Sequence, residues 1–293
     1  MKSYAFRILN VFAETTFGGN PLCVFEDATG LDDDTMQAIA RQFNLSETTF
    51  LLPSDRATAR VRIFTTGYEM PFAGHPTLGS AHVVRDLFHA GDALTLEFKA
   101  GVVSVSASGD RWTFIAPSRG APRTATPSLG AADIAAMLGL TETDLLDEPQ
   151  WVDTGTDQLL VPVKTVDAVR RATPDSTMLD AWPQSSLGRK TAYVFAFAER
   201  DKYGAPDAPQ AVVARYFFTK EGGGVAEDPG TGSACANLGG WLMATSHPLP
   251  MRLTISQGDA LERPCRLALE VTRDRRIMVG GRVLEVGRGT FFL

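Results

Sequence analysis

Two seven-residue segments of this chain follow one pattern, and this internal repeat constrains the fold more than any other feature of the sequence. Glu69–His75 (EMPFAGH) and Glu227–Ser233 (EDPGTGS) both read Glu-x-Pro-x-x-Gly followed by a polar residue, and every matched pair is 158 positions apart. An ordinary helix cap gives no reason for seven positions to recur at one offset. The repeat therefore predicts two halves with the same local structure.

The surroundings of the two segments repeat as well. Upstream, Arg62-Ile63-Phe64 and Arg215-Tyr216-Phe217 each end a predicted strand, and downstream each segment runs into small and apolar residues, at 78–84 and 234–242. A helix rich in glycine, alanine and serine is a poor surface helix, but it suits a position that a curved sheet encloses tightly. Each half is thus predicted to contain a strand, the Glu-x-Pro motif and an enclosed helix.

Hydrophobic periodicity predicts further elements and a mixed fold. Apolar residues at helical spacing predict a helix from Leu31 to Phe43, with acidic residues near its start and Asn44 at its end. Alternation between 94 and 114 predicts an antiparallel meander. The other predicted elements are a helix at 131–138 and strands at 6–12, 22–25, 48–52, 59–64, 158–163, 192–197, 211–218, 265–271 and 277–293.

Length and proline content predict where the halves separate. A chain of 293 residues can form one domain or two. Residues 117–128 contain three prolines and little that could enter a core, so this segment is the predicted linker and domain boundary.

Composition narrows the classes of partner and compartment. A formal net charge of −6 leaves no sequence-wide positive field for a phosphate backbone, which argues against nucleic acid. No apolar stretch is long enough to span a bilayer, and the N-terminus lacks signal-peptide features, so the prediction is a cytoplasmic protein with no membrane partner. Three cysteines (Cys23, Cys235 and Cys265), with no Cys-x-x-Cys spacing, fit a reducing compartment and predict neither disulfides nor a thiolate zinc site.

The starts of the two repeated helices are the first candidate for chemistry. Unsatisfied N–H groups at a helix start bind anions, and a glycine there allows close backbone approach. Two such starts facing one cleft could hold a small carboxylate substrate, with His75 and Ser233 at the tips. This anion binding is expected to rest on backbone N–H groups and His75 rather than on lysine or arginine. For either motif alone, simple helix capping is the favoured interpretation, and the shared offset of 158 is what weakens it.

Two other motifs carry little weight. His75, His82 and His89 are spaced by seven, but seven helical residues separate Cα atoms by roughly 10 Å, too far for two imidazoles on one ion. No metal site is predicted, and His82 and His89 are expected to be packing or surface residues. Gly230-Thr231-Gly232 lacks the third glycine of a dinucleotide fingerprint, and no Gly-x-Ser-x-Gly elbow makes Ser233 a nucleophile.

Glu47 is the candidate proton carrier. It stands between an amphipathic helix and a strand, where a glutamate is usually solvated. If Leu45 and Phe50 enclose it, burial would raise its pKa and suit it to proton transfer near neutral pH.

Four segments, in order along the chain, resemble the PhzF-like phenazine-biosynthesis family: Asn20–Leu22 (NPL), Asn44–Phe50 (NLSETTF), Pro71–Gly79 (PFAGHPTLG) and Glu227–Ala234 (EDPGTGSA). The resemblance implies the α+β diaminopimelate epimerase fold, with two similar domains that are each a curved, mostly antiparallel sheet around a central helix and with the active site between them. The expected domains are 1–118 and 128–293, and the last strand is allowed to return to the first domain.

The resemblance also implies roles for individual residues. Glu47 would be the general acid and base, while His75, Asp228 and Ser233 would orient the substrate and assist proton transfer. The residues expected to bind the substrate are Asn20, Ser46, Gly74, Thr231 and Gly232. No metal or organic cofactor is implied, the partner is a small carboxylated substrate, and a homodimer is the implied assembly.

Three functions follow as hypotheses. The first is a cofactor-independent isomerase that shifts a proton within a small carboxylated molecule, as the family's dihydro-hydroxyanthranilate isomerase does. The second is an amino-acid or hydroxy-acid epimerase or racemase. The resemblance implies that related epimerases place a cysteine at each helix start, where this chain has His75 and Ser233, and this difference argues against two-thiol chemistry. The third is a non-catalytic small-molecule-binding or scaffold protein.

Overall fold

A computed structural model describes residues 2–116, 121–199, 205, 208–220 and 223–293. The chain divides into two compact units: unit 1 is Met1–Ile115 with Gly280–Leu293, and unit 2 is Ala116–Val279. The resemblance allows the last strand to return to the first domain, and this division assigns residues 280–293 to unit 1.

The described residues form strands, five α-helices and three short 3₁₀ turns. The strands are β1 Ser3–Val11, β2 Asn20–Phe25, β3 Glu47–Leu52, β4 Ala59–Phe64, β5 Glu69–Met70, β6 Ala93–Phe98, β7 Gly101–Ser108, β8 Arg111–Ile115, β9 Arg123–Ala125, β10 Gln150–Asp153, β11 Asp157–Pro162, β12 Thr191–Phe197, β13 Gln210–Thr219, β14 Val225–Asp228, β15 Met251–Gln257, β16 Cys265–Val271 and β17 Ile277–Phe292. The α-helices are α1 Asp33–Phe43, α2 Gly74–Leu87, α3 Ala131–Met137, α4 Val166–Arg171 and α5 Gly232–Ala244, and the 3₁₀ turns are Glu142–Asp144, Ser176–Ala181 and Asp259–Leu261.

The sheet of unit 1 closes on itself around α2. β1 pairs antiparallel with β2 and with β17, β2 is parallel to β3, and β3 is antiparallel to β4. β4 is parallel to β6, β6–β7–β8 is an antiparallel meander as predicted, and β8 pairs with β17. Strands from around this barrel-like sheet contact α2, which is why ten of its residues are buried.

Unit 2 repeats the same order of pairings. β10 is antiparallel to β11, β11 is parallel to β12, β12 is antiparallel to β13, β13 is parallel to β15 and β15 is antiparallel to β16. The short strands that precede the helices, β5 and β14, pair antiparallel with β4 and β13 in the same way. The repeat in the sequence therefore corresponds to a repeat in topology, with α2 and α5 as equivalent helices.

Small residues in α2 and α5 are required by the closeness of the sheet. A Cβ on Gly79 would overlap Leu22 Cδ2 and lie 3.2 Å from Val11 Cγ2. A Cβ on Gly240 would lie 2.8 Å from Thr154 Cγ2. Because interiors are close-packed, larger side chains at these positions would force the strands away.

The repeated arginines and glutamates form equivalent ion pairs. Arg62 donates Nε and Nη2 to the two carboxylate oxygens of Glu69 at 2.8 and 2.9 Å, and its guanidinium lies 5.0 Å from the Phe64 ring centre. In unit 2, Arg215 donates to Glu227 at 3.0 and 2.6 Å, and its guanidinium lies 4.7 Å from the Phe217 ring centre. Each bidentate pair holds the strand before the motif to the motif itself.

Other predictions have mixed outcomes. The first helix is confirmed, with Asp32 as N-cap and Asn44 in the left-handed conformation (φ 53°) at its end.

The predicted linker is wrong in part, because β9 lies inside it and pairs antiparallel with β10, while residues 117–120 lie outside the described part. Proline flanks are compatible with a short strand at a sheet edge. The sequence interpretation missed α4, β5, β10 and β14, which have six residues or fewer, and β15, whose apolar and polar residues alternate and could have been recognised.

Each unit has its own apolar core. Aromatic residues dominate the core beneath α1, where the Phe25 and Phe50 rings stack at 5.1 Å. A mainly aliphatic cluster in unit 2 packs residues of α3, α4, β11 and β12 together with Trp151, Trp182 and Phe217. Among the described helices, none is long and apolar enough to cross a membrane.

Candidate active site

Unit 1 brings Glu47 and His75 together. Glu47 is the first residue of β3, His75 is the second residue of α2, and Glu47 Oε2 lies 3.3 Å from His75 Nε2. The side chains are only 14% and 6% exposed. Glu47 is therefore not the solvated glutamate that its position in the sequence would ordinarily give.

Local structure explains this contact. The left-handed Asn44 ends α1, and the chain enters β3 within three residues, with Glu47 opposite Leu22 of β2. The enclosed helix α2 begins at Gly74 and contacts β3, and its second residue, His75, meets Glu47 at the start of that strand. Ala73, the N-cap, makes no side-chain capping bond to the helix start.

Asn20 and Ser46 form a second layer behind the pair. The Asn20 side-chain nitrogen lies 3.3 Å from His75 Nδ1, and the Ser46 hydroxyl donates to Asn20 Oδ1 at 3.2 Å. Asn20 is fully buried at the start of β2. All five predicted site residues of this unit, Asn20, Ser46, Glu47, Gly74 and His75, thus belong to one cluster.

Burial decides the charge of His75. Desolvation lowers its pKa to about 3, so the ring is neutral at neutral pH. A neutral imidazole has one nitrogen that donates and one that accepts. His75 Nε2 can accordingly donate to a Glu47 carboxylate or accept from a Glu47 carboxylic acid, depending on the tautomer.

In unit 2, Asp228 and Thr231 meet Gln257. Asp228 ends β14, and the Thr231 hydroxyl donates to its Oδ2. The Gln257 amide donates to the Asp228 carbonyl at 2.8 Å and to Thr231 Oγ1 at 3.0 Å. These bonds hold the Asp228 carboxylate next to the loop that leads into α5.

Ser233 begins a second network at the start of α5. Gln158 of β11 donates to Ser233 Oγ at 2.8 Å and to the Tyr216 hydroxyl at 3.3 Å. Asn237 donates to Gln158 Oε1 at 2.8 Å, and Asn237 Oδ1 accepts from the Thr154 hydroxyl at 2.7 Å. Thr231, the N-cap, makes no side-chain capping bond, and Gly232 is the first helical residue.

The sequence interpretation missed Gln158, Gln257 and Asn237. Gln158 and Gln257 lie near strand ends and are buried with Asn237, so each amide must find partners inside the protein. The sequence offered one signal for these residues: a polar amide side chain within or at the end of a mainly apolar stretch. Gln158 acts on Ser233 as Asn20 acts on His75, from the first inner strand of the corresponding unit.

Neither the three cysteines nor His82 and His89 contribute a reactive group to these clusters. Cys23, Cys235 and Cys265 are buried, and burial raises the pKa of each thiol, which disfavours the nucleophilic thiolate. His82 lies edge-on to Trp112, and His89 is an exposed residue after α2.

Comparison with known proteins identifies the family. The family described as phenazine biosynthesis-like protein (PhzC-PhzF) matches residues 9–289. The chain belongs to this family. An uncharacterized isomerase from Pasteurella multocida is 39% identical, over 99% of this chain and 94% of its own. A trans-2,3-dihydro-3-hydroxyanthranilate isomerase from Pseudomonas chlororaphis is 30% identical over 98% of each chain.

A solved structure agrees at the level of the fold. The crystal structure of a phenazine biosynthesis protein of the PhzF family from Bacillus anthracis has a TM-score of 0.83 at 24% identity and covers 100% of both chains. The resemblance read from four sequence segments is therefore confirmed. As a member of the PhzC-PhzF family, the chain is an isomerase.

Proposed function

We propose that this PhzF-family chain is a cofactor-independent isomerase that moves a proton between two positions of a small carboxylated substrate, with Glu47 as acid and base. The proposal rests on one observation above all: Glu47 and His75 form a buried carboxylate–imidazole contact of 3.3 Å. A substrate similar to that of the Pseudomonas chlororaphis relative, a dihydro-hydroxyanthranilate, is the first candidate.

The chemistry balances within the substrate and Glu47. The Glu47 carboxylate removes a proton from one substrate carbon, and the electron pair of the broken C–H bond moves towards the adjoining double bond. The C–H pair thus forms a new double bond to the neighbouring carbon, and the pair of the old double bond moves to the far carbon. That pair takes the proton from the Glu47 carboxylic acid, so a new C–H bond forms, the double bond has shifted and the carboxylate is restored. No electrons leave the substrate, and the reaction needs no other reactant.

The other site residues have supporting roles in this proposal. Neutral His75 orients Glu47 and exchanges a hydrogen bond with it as the proton comes and goes. Asn20 and Ser46 position the ring of His75, while the backbone at Gly74 and Gly232 binds polar groups of the substrate. Asp228 and Ser233 orient the substrate, and Thr231 supports Asp228.

The experiment follows product formation and deuterium content by mass spectrometry when trans-2,3-dihydro-3-hydroxyanthranilate is incubated with the protein in heavy water. Glu47→Gln keeps the shape but cannot carry the proton, so we expect turnover to fall at least 10³-fold. Glu97→Gln is the matched control, because Glu97 lies in the same unit with an 18% exposed side chain and pairs with Arg56.

Glu97→Gln should retain wild-type turnover. Wild-type turnover that survives Glu47→Gln would remove Glu47 from the mechanism. A wild-type protein that turns over no carboxylated candidate, yet binds one tightly, would favour the third hypothesis, a binding protein.

An epimerase is the second candidate function. The product distinguishes the two functions, because an epimerase inverts the configuration at one carbon whereas the proposed isomerase moves a double bond. The buried thiols of Cys23 and Cys235, whose pKa values are raised, disfavour the two-thiol version of that chemistry. A cytoplasmic location and a homodimer remain predictions from cysteine usage and from the family resemblance.

A further inference from the structure

Arg189 is held in a defined place in unit 2. It ends the turn 185–189 that leads into β12, and its backbone N–H donates to Ser185 Oγ at 3.1 Å. Its side chain is partly buried, and Nη2 donates to the Thr156 hydroxyl. The guanidinium is thus directed by a turn and by a neighbouring side chain.

The charge of Arg189 has no carboxylate partner. Throughout the described ranges, no acidic group forms an ion pair with it, and its Nε is buried without a hydrogen-bond acceptor. The neighbouring Asp157 carboxylate is occupied by the Ser186 N–H and hydroxyl, at 2.6 and 2.9 Å. Partly removing a guanidinium from water while one of its N–H groups has no acceptor costs free energy, unless a bound anion pairs with the charge.

Three other buried or partly buried arginines of the described residues, Arg7, Arg62 and Arg215, are neutralised by carboxylates. Arg7 contacts the carboxylates of Glu26, Asp86 and Glu285. Arg62 and Arg215 each make a bidentate pair with a glutamate of the repeated motif, as described above. Arg189 differs from these three because no carboxylate of the described residues pairs with it, which points to a ligand that supplies the negative charge.

The surroundings of Arg189 lead to the start of α5. The Thr156 carbonyl accepts from Asn237, which also donates to Gln158, and Gln158 donates to Ser233. The positive charge of Arg189 also acts on the buried Tyr216 hydroxyl, the second acceptor of Gln158. Arg189 and Ser233 therefore belong to one polar network.

We propose that Arg189 and the Thr156 hydroxyl form a carboxylate-binding subsite in unit 2. A guanidinium presents parallel N–H groups that match the two oxygens of a carboxylate, and within the described residues Arg189 directs only Nη2 to a protein acceptor, the Thr156 hydroxyl. That the carboxylate is the substrate's own rests on the proposed function, whereas the binding of a carboxylate does not. The proposed subsite differs from the expectation that anion binding rests on backbone N–H groups and His75 rather than on lysine or arginine.

The experiment compares two probes that differ in one charge. Sodium anthranilate carries a carboxylate, and anthranilamide is its neutral counterpart of nearly the same shape. Dissociation constants are measured by calorimetry for the wild type, Arg189→Gln and Arg189→Lys. Arg273→Gln is the control, because it removes the same charge from an exposed turn of the same unit.

We expect Arg189→Gln to weaken anthranilate binding about 10–100-fold, Arg189→Lys to weaken it less, and anthranilamide binding to stay within twofold. Arg273→Gln should bind both probes as the wild type does. Unchanged anthranilate binding in Arg189→Gln, or an equal loss for both probes in Arg189→Gln and Arg189→Lys, would overturn the subsite. If the probe result holds but the wild type shows no turnover, the subsite stands and the proposed isomerase function fails.

Discussion

His75 is the residue whose protonation state matters most to the chemistry of unit 1. Its ring is almost wholly buried between Asn20 and Glu47. Burial disfavours the charged ring and lowers its pKa, and this effect outweighs a hydrogen bond with the Pro21 backbone that favours the charged form. A neutral ring can serve a Glu47 that alternates between acid and carboxylate.

This assignment predicts how stability depends on pH. Because the pKa of His75 is lower in the folded state (about 3) than its ordinary value of 6.5, the unfolded chain takes up the proton first as the pH falls. Stability is therefore lost from about pH 6.5 downwards. Between pH 7.5 and 5 we expect the wild type to lose about 2 kcal/mol more unfolding free energy than His75→Gln, measured by urea unfolding.

Parallel curves for the two proteins would contradict the prediction. A wild type that gains stability relative to His75→Gln as the pH falls would show that Glu47 keeps His75 charged, and the proton relay would then need a cationic ring.

At the scale of elements, the two enclosed helices position the site. Both α2 and α5 start immediately after a short strand and bring a glycine and a polar residue to their first turn. Small residues allow the surrounding strands to approach, so residues at strand starts, such as Asn20 and Gln158, reach the helix tips. The composition of the helices is thus a condition for the geometry of the polar clusters.

Gly79→Ala tests this packing. Alanine has the higher helix propensity, by about 1 kcal/mol, but its methyl group would overlap the fully buried Leu22. We expect overpacking to dominate and to destabilise the protein by about 1–3 kcal/mol in thermal unfolding. Gly91→Ala is the control, since a Cβ there meets nothing within 4 Å, and it should be neutral or slightly stabilising.

A stabilised Gly79→Ala protein would mean that the sheet has room around α2. The small residues of that helix would then need a reason other than close approach.

At the scale of the whole molecule, the two units share topology but differ in how their repeated ion pairs are supported. Arg62 has a second carboxylate partner, Asp33, at 2.6 Å. Arg215 instead donates to the backbone carbonyls of Ala172 and Arg170, and Glu227 is its only carboxylate within the described residues. The glutamate of the pair is also less exposed in unit 2, since the Glu227 side chain is 7% exposed and the Glu69 side chain is 20% exposed.

The difference predicts unequal mutants. Glu227→Gln leaves Arg215 without a carboxylate in a poorly solvated place, and we expect a loss of about 1–3 kcal/mol in unfolding free energy. Glu69→Gln leaves Arg62 paired with Asp33 and should cost less than about 1 kcal/mol. Chemical unfolding of the two variants under one set of conditions makes the comparison, and equal losses would show that Asp33 contributes nothing.

The sequence by itself determined the repeat, the enclosed helices, the family and most residues of the unit 1 cluster. These features are encoded locally: the motif, its offset and the small-residue run are contiguous in the chain, and four segments together specify the family. Periodicity likewise located α1 and the meander, because each has one face turned to the core.

Only the tertiary structure decided that Glu47 is buried against His75 and that buried amides hold the polar ends of unit 2. It also decided that Arg189 has no carboxylate partner among the residues that the structure describes. Those facts depend on contacts between residues far apart in sequence, such as Gln158 with Ser233. Burial and charge compensation are properties of such neighbours, and a single residue's type does not specify them.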